Sequence, residues 1–266
     1  MTKEVTSRLT IFLAALASLL AFTWPLVIGS GQQDQSALAQ GVFIALMPLV
    51  IIVTLVEFAG GELDSRRIAL LGVLIALNAV IRLLGAGVSG IETAFFIIIL
   101  GGYVFGAGFG FILGGASLLV SALLGAGVGP WLPFQMMAAG LIGLGAGLLG
   151  RTSSRRPTLD PRAKGRFERL QLICYSVFAS FSYGALMTLW NWPFLAGTGS
   201  SISYVAGASL FENLSRFIKF EIFTGGLIWD LGRASTTVAL ILVTGPALLA
   251  TLRRAANKAG FVTARA

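Results

Sequence analysis

The chain has 266 residues, of which 56% are hydrophobic and 11% are charged, and its formal net charge is +8. A soluble globular domain carries about 25% charged residues, so this composition excludes a water-soluble sphere and favours a membrane protein. Histidine is absent, which excludes Ser-His triads and HExxH zinc sites. We expect no enzyme, no catalytic residue, no metal site and no cofactor.

Apolar stretches of the length that a spanning helix needs, about 20 residues, recur along the whole chain. They predict eight transmembrane helices, at 9–30, 38–57, 68–84, 92–105, 107–124, 134–150, 170–190 and 231–252. The predicted fold is an all-α polytopic membrane protein. A loop with two helix-breaking prolines, 125–133, precedes the sixth helix.

The segment 204–226 is apolar on one face only. Its four charged residues are too many for hydrocarbon, and they are Glu212, Arg216, Lys219 and Glu221. Glu212 and Arg216 are four residues apart, so they can pair on a helix. We predict an amphipathic helix that lies on the outer surface, either as a passive element or as a cover for a binding site.

The basic residues indicate the orientation. Fifteen of the 19 Lys and Arg residues lie in four segments, 1–8, 58–67, 151–169 and 253–266. Cytoplasmic loops are enriched in these residues, and eight crossings place all four segments on one side. We predict a multi-pass protein of the inner (plasma) membrane, with both termini and a basic loop at 151–169 in the cytoplasm. The basic residues are therefore expected to face the lipid bilayer surface and not to bind nucleic acid.

Small residues repeat every four positions on three predicted helices. The repeats are Gly106, Gly110 and Gly114; Ala139, Gly143 and Gly147; and Gly72 with Ala76. Such a stripe lets another helix approach closely. The partner helix can belong to this chain or to another membrane subunit, and the spacing alone does not distinguish the two.

Polar and aromatic residues collect at the predicted outer helix ends. Asn78 and Arg82 share a face of the third helix, and Glu92 begins the next one. A charge within a membrane segment suggests a functional site, although an Arg82–Glu92 ion pair or a snorkelling arginine would also explain it. Further candidate binding residues are Trp131, Gln135, Tyr183, Asn191 and Trp192, unless the aromatic ones form an interfacial belt.

The most specific element of the chain is the run Gly127-Val-Gly-Pro-Trp-Leu-Pro-Phe-Gln-Met136. Four further stretches accompany it: the apolar run from Ile68 to Arg82, the glycine-rich run from Gly102 to Ser117, the run from Gly140 to Gly147 and the stretch from Trp229 to Ser235. With these elements, residues 67 to the C-terminus resemble the S components of energy-coupling factor (ECF) transporters.

The resemblance implies a six-helix substrate-binding core at 67–266, preceded by an extension of two helices at 1–66. It implies capture of a vitamin or similar micronutrient from outside the cell, with cobalamin as the first candidate. It also implies docking on a membrane coupling subunit that two ATPase subunits drive. The docking stripe maps onto Ala69, Gly72, Ala76 and Ala79. No GxxxxGK[ST] motif occurs in the chain, so any ATPase would be another polypeptide.

Two other functions are compatible with a polytopic chain. An ion-coupled secondary transporter of a small molecule would need titratable residues in the membrane, and Arg82, Glu92 and Asp230 are the candidates. A membrane enzyme such as a lipid transferase has less support, because the chain lacks histidine and a DxxxD pair of carboxylates.

Overall fold

The computed structural model is helical throughout the part of the chain that it describes. The described residues are 3–27, 41, 65–85, 90–129, 131–154, 161–195, 199–224 and 226–260. The helices are α1 (Lys3–Val27), α2 (Ser65–Gly85), α3 (Phe95–Phe105), α4 (Ala107–Ser121) with a π-helical turn (Ala122–Ala126), α5 (Leu132–Ser154), α6 (Pro161–Leu195), α7 (Leu210–Phe223) and α8 (Gly226–Lys258).

Five of the described helices are long and apolar enough to cross a membrane: α2, α4 with its π-helical turn, α5, α6 and α8. Shorter apolar helices occupy Ala15–Leu26 and Phe95–Phe105. The predicted all-α polytopic membrane fold is therefore confirmed. The predicted second helix, 38–57, lies outside the described residues except for Gly41.

Several helices extend beyond the predicted membrane segments. The predicted basic loop at 151–169 is wrong at both ends, because α5 continues to Ser154 and α6 begins at Pro161. Arginine, lysine and glutamate are good helix formers, and Glu168 of α6 forms an ion pair with Arg253 of α8. These helices consequently extend past the apolar segments.

The chain forms two compact units, and their boundary falls inside α6 and inside α8. The smaller unit comprises 1–61 and 182–229, and the larger unit comprises 62–181 and 230–266.

Glycine contacts hold the centre of the larger unit together. Ten of the eleven residues of α3 are buried, as expected for a helix that is apolar all round. Gly106 separates α3 from α4 with a φ of 101°, a backbone angle that favours glycine. A Cβ added at Gly143 of α5 would overlap the carbonyl oxygen of Gly110, and one at Gly114 would overlap that of Ala139. The small-residue stripes of α4 and α5 therefore pack on each other within this chain.

An aromatic cluster forms the core of the smaller unit. Trp192 is fully buried and lies edge-on to both Tyr204 and Phe217, with ring centroids 5.5 Å apart in each pair. Its indole Nε1 donates to the carbonyl of Ile202 at 2.9 Å. Burial also raises the pKa of the Tyr204 phenol. These contacts fix the segment between α6 and α7 against the end of α6.

The predicted amphipathic helix is present as α7. Ser209 caps it by accepting a hydrogen bond from the backbone N–H of Glu212 at 3.2 Å. Arg216 pairs with Glu212 at 3.0 Å, which confirms the predicted ion pair, and also donates to the carbonyl of Ser200 at 3.1 Å. Phe217 and Phe220 form its buried face. The helix has 14 residues, about 21 Å at 1.5 Å per residue, which is shorter than the hydrocarbon layer.

Candidate functional site

Arg82 connects three helices of the larger unit. It lies in the last turn of α2, where its Nη1 donates to Ser121 Oγ of α4 at 2.9 Å. Its Nη2 lies 3.5 Å from Gln135 Oε1 of α5, which is a long contact. The carboxylate of Glu92 has a different partner: its Oε1 accepts a hydrogen bond from the backbone N–H of Ala94 at 3.2 Å. Among the described residues Arg82 thus has no carboxylate partner, and the alternative Arg82–Glu92 ion pair is wrong.

Asn78 lies one turn before Arg82 and is fully buried. Neither its Oδ1 nor its Nδ2 has a hydrogen-bond partner among the described residues, and the same holds for the buried Nε of Arg82. A buried polar group without a partner costs about 1–3 kcal/mol. Because native interiors pair nearly all such groups, Asn78 and Arg82 are candidates for contact with polar atoms beyond the described residues.

Ser121 is a site residue that the sequence did not single out. Its Oγ accepts from Arg82 and donates to the carbonyl of Leu118 at 2.9 Å. Ser117, one turn earlier, is fully buried and donates to the carbonyl of Leu113. The sequence contains one indication of this role: Ser117 and Ser121 are four residues apart in an otherwise apolar helix. That spacing places both serines on one face of the helix.

The Trp131 loop borders the same three helices. Before it, α4 ends in the π-helical turn, where Gly125 has a φ of 135°, and π-helical turns are frequent at functional sites. The indole of Trp131 packs on Gly129, where an added Cβ would overlap the ring, and 45% of the residue surface stays exposed. The backbone N–H of Gln135 donates to the Trp131 carbonyl at 2.9 Å. Trp131 therefore presents an accessible aromatic face one turn before Gln135.

A second arginine of the larger unit is neutralised, in contrast to Arg82. Arg233 of α8 forms an ion pair with the buried Asp230 and donates to the carbonyl of Ser180 at 3.3 Å. Its guanidinium carbon lies 5.8 Å from the ring centroid of Phe95. Asp230 thus balances the charge of Arg233, whereas Arg82 has no carboxylate partner among the described residues.

The remaining predicted binding residues belong to the smaller unit. Tyr183 and Trp192 are buried and Asn191 is half-buried. The indole N–H of Trp192 is already used by Ile202, so Trp192 has a packing role in this unit. The structure thus brings together Asn78, Arg82 and Gln135, with Trp131 beside Gln135.

The predicted docking stripe on α2 is open along most of its length. Ala69, Gly72 and Ala76 are exposed, whereas Ala79 is fully buried. Apart from the neighbouring backbone of α2 itself, no atom of the described residues lies within 4 Å of a Cβ added at Gly72. Unlike the stripes of α4 and α5, this one packs on no other described helix at Gly72.

A family model described as ECF transporter, substrate-specific component, matches residues 66–243. The chain belongs to this family. The match covers about two-thirds of the 266 residues, and Asn78, Arg82, Ser121 and Gln135 all lie within it. No curated protein and no solved structure gives a significant match. The substrate-specific component is a multi-pass membrane protein that works as a transporter subunit with other ECF subunits.

Proposed function

We propose that this substrate-specific component captures a vitamin-like small molecule from outside the cell for an ATP-driven importer. The observation that carries the proposal is the fully buried Asn78, whose two amide atoms have no partner among the described residues, one turn from an arginine without a carboxylate. Both residues lie inside the family match. We place the ligand between the ends of α2, α4 and α5, beneath Trp131.

The residue types of this site suit a ligand that carries both acceptors and an amide-like group. Arg82 is permanently charged and favours a carboxylate, a phosphate or a strong carbonyl acceptor. Asn78 offers one acceptor and two donor hydrogens, and Trp131 offers a stacking surface. Cobalamin is the first ligand to test. Glu92 remains a further candidate for contact with it, whereas Tyr183, Asn191 and Trp192 belong to the smaller unit.

The partners that we propose are a membrane coupling subunit and two ATPase subunits. Small residues allow close approach of a second helix in a membrane, and Ala69, Gly72 and Ala76 form an exposed stripe on α2. We place the binding core at 67–266 and the two-helix extension at 1–66, with both termini in the cytoplasm. The concentration of arginine and lysine at 151–169 and 253–266 supports this orientation.

Calorimetry on the purified protein in detergent tests the proposal, with a panel of water-soluble vitamins that begins with cobalamin. We expect one of them to bind without nucleotide or an ion gradient. Arg82→Gln should weaken its binding by roughly tenfold or more, because a hydrogen bond to a charged group contributes about 1.5–3 kcal/mol. Arg151→Gln is the matched control, since Arg151 is exposed at the other end of α5, and it should bind like the wild type.

Two results would contradict the proposal. Binding that requires sodium ions or a proton gradient would favour the ion-coupled secondary transporter. Unchanged affinity in a folded Arg82→Gln protein would place the ligand elsewhere.

A further inference from the structure

A groove of about 510 Å³ lies within the larger unit, between the N-terminal turns of α6 and the C-terminal part of α8. Its walls are apolar and include Leu172 of α6 and Ile241 and Leu249 of α8. Gly165 and Gly245 also line it and contribute no side chain, which leaves the groove open. The volume is within the range of about 300–1,000 Å³ that is usual for small-molecule sites.

The rim of this groove is basic. Arg166, Arg169 and Arg253 line it together with Glu168. Glu168 forms an ion pair with Arg253, so these two charges balance. Arg166 and Arg169 are exposed, and neither has an ion pair or a side-chain hydrogen bond within the described ranges. The rim therefore carries two uncompensated positive charges beside an apolar wall.

We propose that this groove binds an anionic phospholipid, with the phosphate between Arg166 and Arg169 and an acyl chain along the wall of α8. Both helices are candidate membrane spans, so the apolar part of the groove is next to hydrocarbon. Basic pockets between membrane helices on the cytoplasmic side are suited to anionic head groups, and the predicted orientation places this rim there. A free phosphate ion would use the rim but leave the wall unused. The site is separate from Asn78 and Arg82 and does not depend on the transported ligand.

The experiment uses the full-length protein in a neutral detergent. Phosphatidylglycerol and phosphatidylcholine are titrated separately, and bound lipid is counted by native mass spectrometry. The double variant Arg166→Gln/Arg169→Gln should bind phosphatidylglycerol about thirtyfold more weakly, since each basic side chain near an anionic head group contributes about fivefold. Added salt should weaken the wild-type binding.

Two single variants distinguish binding in the groove from non-specific electrostatic attraction of the lipid. Gly165→Leu fills the groove without altering its charge and should reduce lipid binding by roughly tenfold, because the acyl chain loses its space. Leucine also favours a helix more strongly than glycine does, so the variant should fold. Arg254→Gln is the control for one rim arginine, because it also removes one positive charge: Arg254 is exposed on α8, does not line the groove and contacts the Ala250 carbonyl. It should cost about twofold or less, because screening limits distant charges.

Four results would overturn the lipid site. Equal binding of phosphatidylcholine and phosphatidylglycerol would remove the role of the charges. Competition by inorganic phosphate at the same concentration as the lipid would reduce the site to an ion-binding rim. A loss of about fivefold in Arg254→Gln, as large as that expected for one rim arginine, would indicate diffuse attraction. If the double variant kept the lipid but no longer co-purified with the coupling subunit, the groove would be a protein contact.

Discussion

Replacing Asn78 with leucine should raise the stability of the protein and at the same time abolish high-affinity binding. The two side chains have the same branching, and the substitution removes the two amide atoms that have no partner among the described residues. Relief of a buried unpaired polar group contributes about 1–3 kcal/mol. For a domain of this size, 1 kcal/mol shifts the melting temperature by about 2–4 °C, so we expect Asn78→Leu to melt roughly 2–12 °C higher.

The affinity should change in the opposite direction. If the amide of Asn78 donates to and accepts from the ligand, Asn78→Leu loses those hydrogen bonds and leaves ligand atoms unpaired in an apolar site. A loss of about 1.4 kcal/mol corresponds to tenfold, and two hydrogen bonds make a loss of at least that size reasonable. Thermal unfolding in detergent measures the first effect, and calorimetry with the vitamin that the wild type binds measures the second.

Asn213 provides the matched control. It is equally buried, but its side chain donates to the Val205 carbonyl at 2.9 Å and accepts from the Val205 N–H at 3.1 Å. Asn213→Leu should therefore lower the melting temperature, because it removes two hydrogen bonds worth about 0.5–1.5 kcal/mol each. If Asn78→Leu also melted lower than the wild type, Asn78 would be a structural residue and the reasoning that places the ligand there would fail.

Four further predictions address packing, docking, the site and the orientation. Gly143→Val should prevent folding, because its Cβ would overlap a backbone carbonyl of α4. Gly72→Leu should keep the fold and ligand binding but abolish uptake in cells. Normal uptake by the Gly72→Leu protein would exclude the open stripe as the docking face. Trp131→Ala should weaken binding about tenfold or more, as for a stacked aromatic at the centre of a site, and calorimetry that gave wild-type affinity would remove Trp131 from the site. Reporter fusions at Arg155 and at the C-terminus should report the cytoplasm and one at Ser200 the outside, and an external signal at Arg155 would reverse the orientation.

The sequence predicted the presence of the described helices but not where they end. Hydropathy marks the segments that fit hydrocarbon, and a membrane helix can continue into water beyond them. The ion pair between Glu168 and Arg253 joins α6 and α8 within the part that was predicted as a loop and a tail. This pair is separated by 85 residues, so no local pattern indicates it.

The candidate site was predictable in part, for a similar reason. The spacing of Asn78 and Arg82 on one helix fixes their common face, and the Trp131–Gln135 spacing places Trp131 one turn before Gln135, at the start of α5. The contacts between residues on different helices depend on which helices pack side by side, and spacing along one helix does not indicate that. The contact of Arg82 with Ser121 depends on α2 packing beside α4, and an Arg82–Glu92 pair was equally compatible with the sequence.

The small-residue stripes also show that residue spacing does not predict which helices pack together. All three have the same four-residue spacing, yet those of α4 and α5 pack against each other while Gly72 faces open space. Spacing indicates that close approach is possible but does not identify the partner helix. That Gly72 is left open follows only from the tertiary structure.

The same helix, α2, carries the central polar residues of the proposed site and the proposed docking stripe. Gly72 and Ala76 lie on its exposed side, and Asn78 lies on its buried side, with Arg82 about 15 Å along the axis from Gly72 at 1.5 Å per residue. A coupling subunit that packs on Gly72 and moves α2 relative to α4 and α5 would change the Arg82–Ser121 contact, because that contact joins two helices. If docking of the coupling subunit changes the affinity for a ligand held by Asn78 and Arg82, thermodynamic linkage requires that the ligand change the affinity for the coupling subunit by the same factor. One rigid helix would then let a loaded subunit be distinguished from an empty one without a separate signalling element.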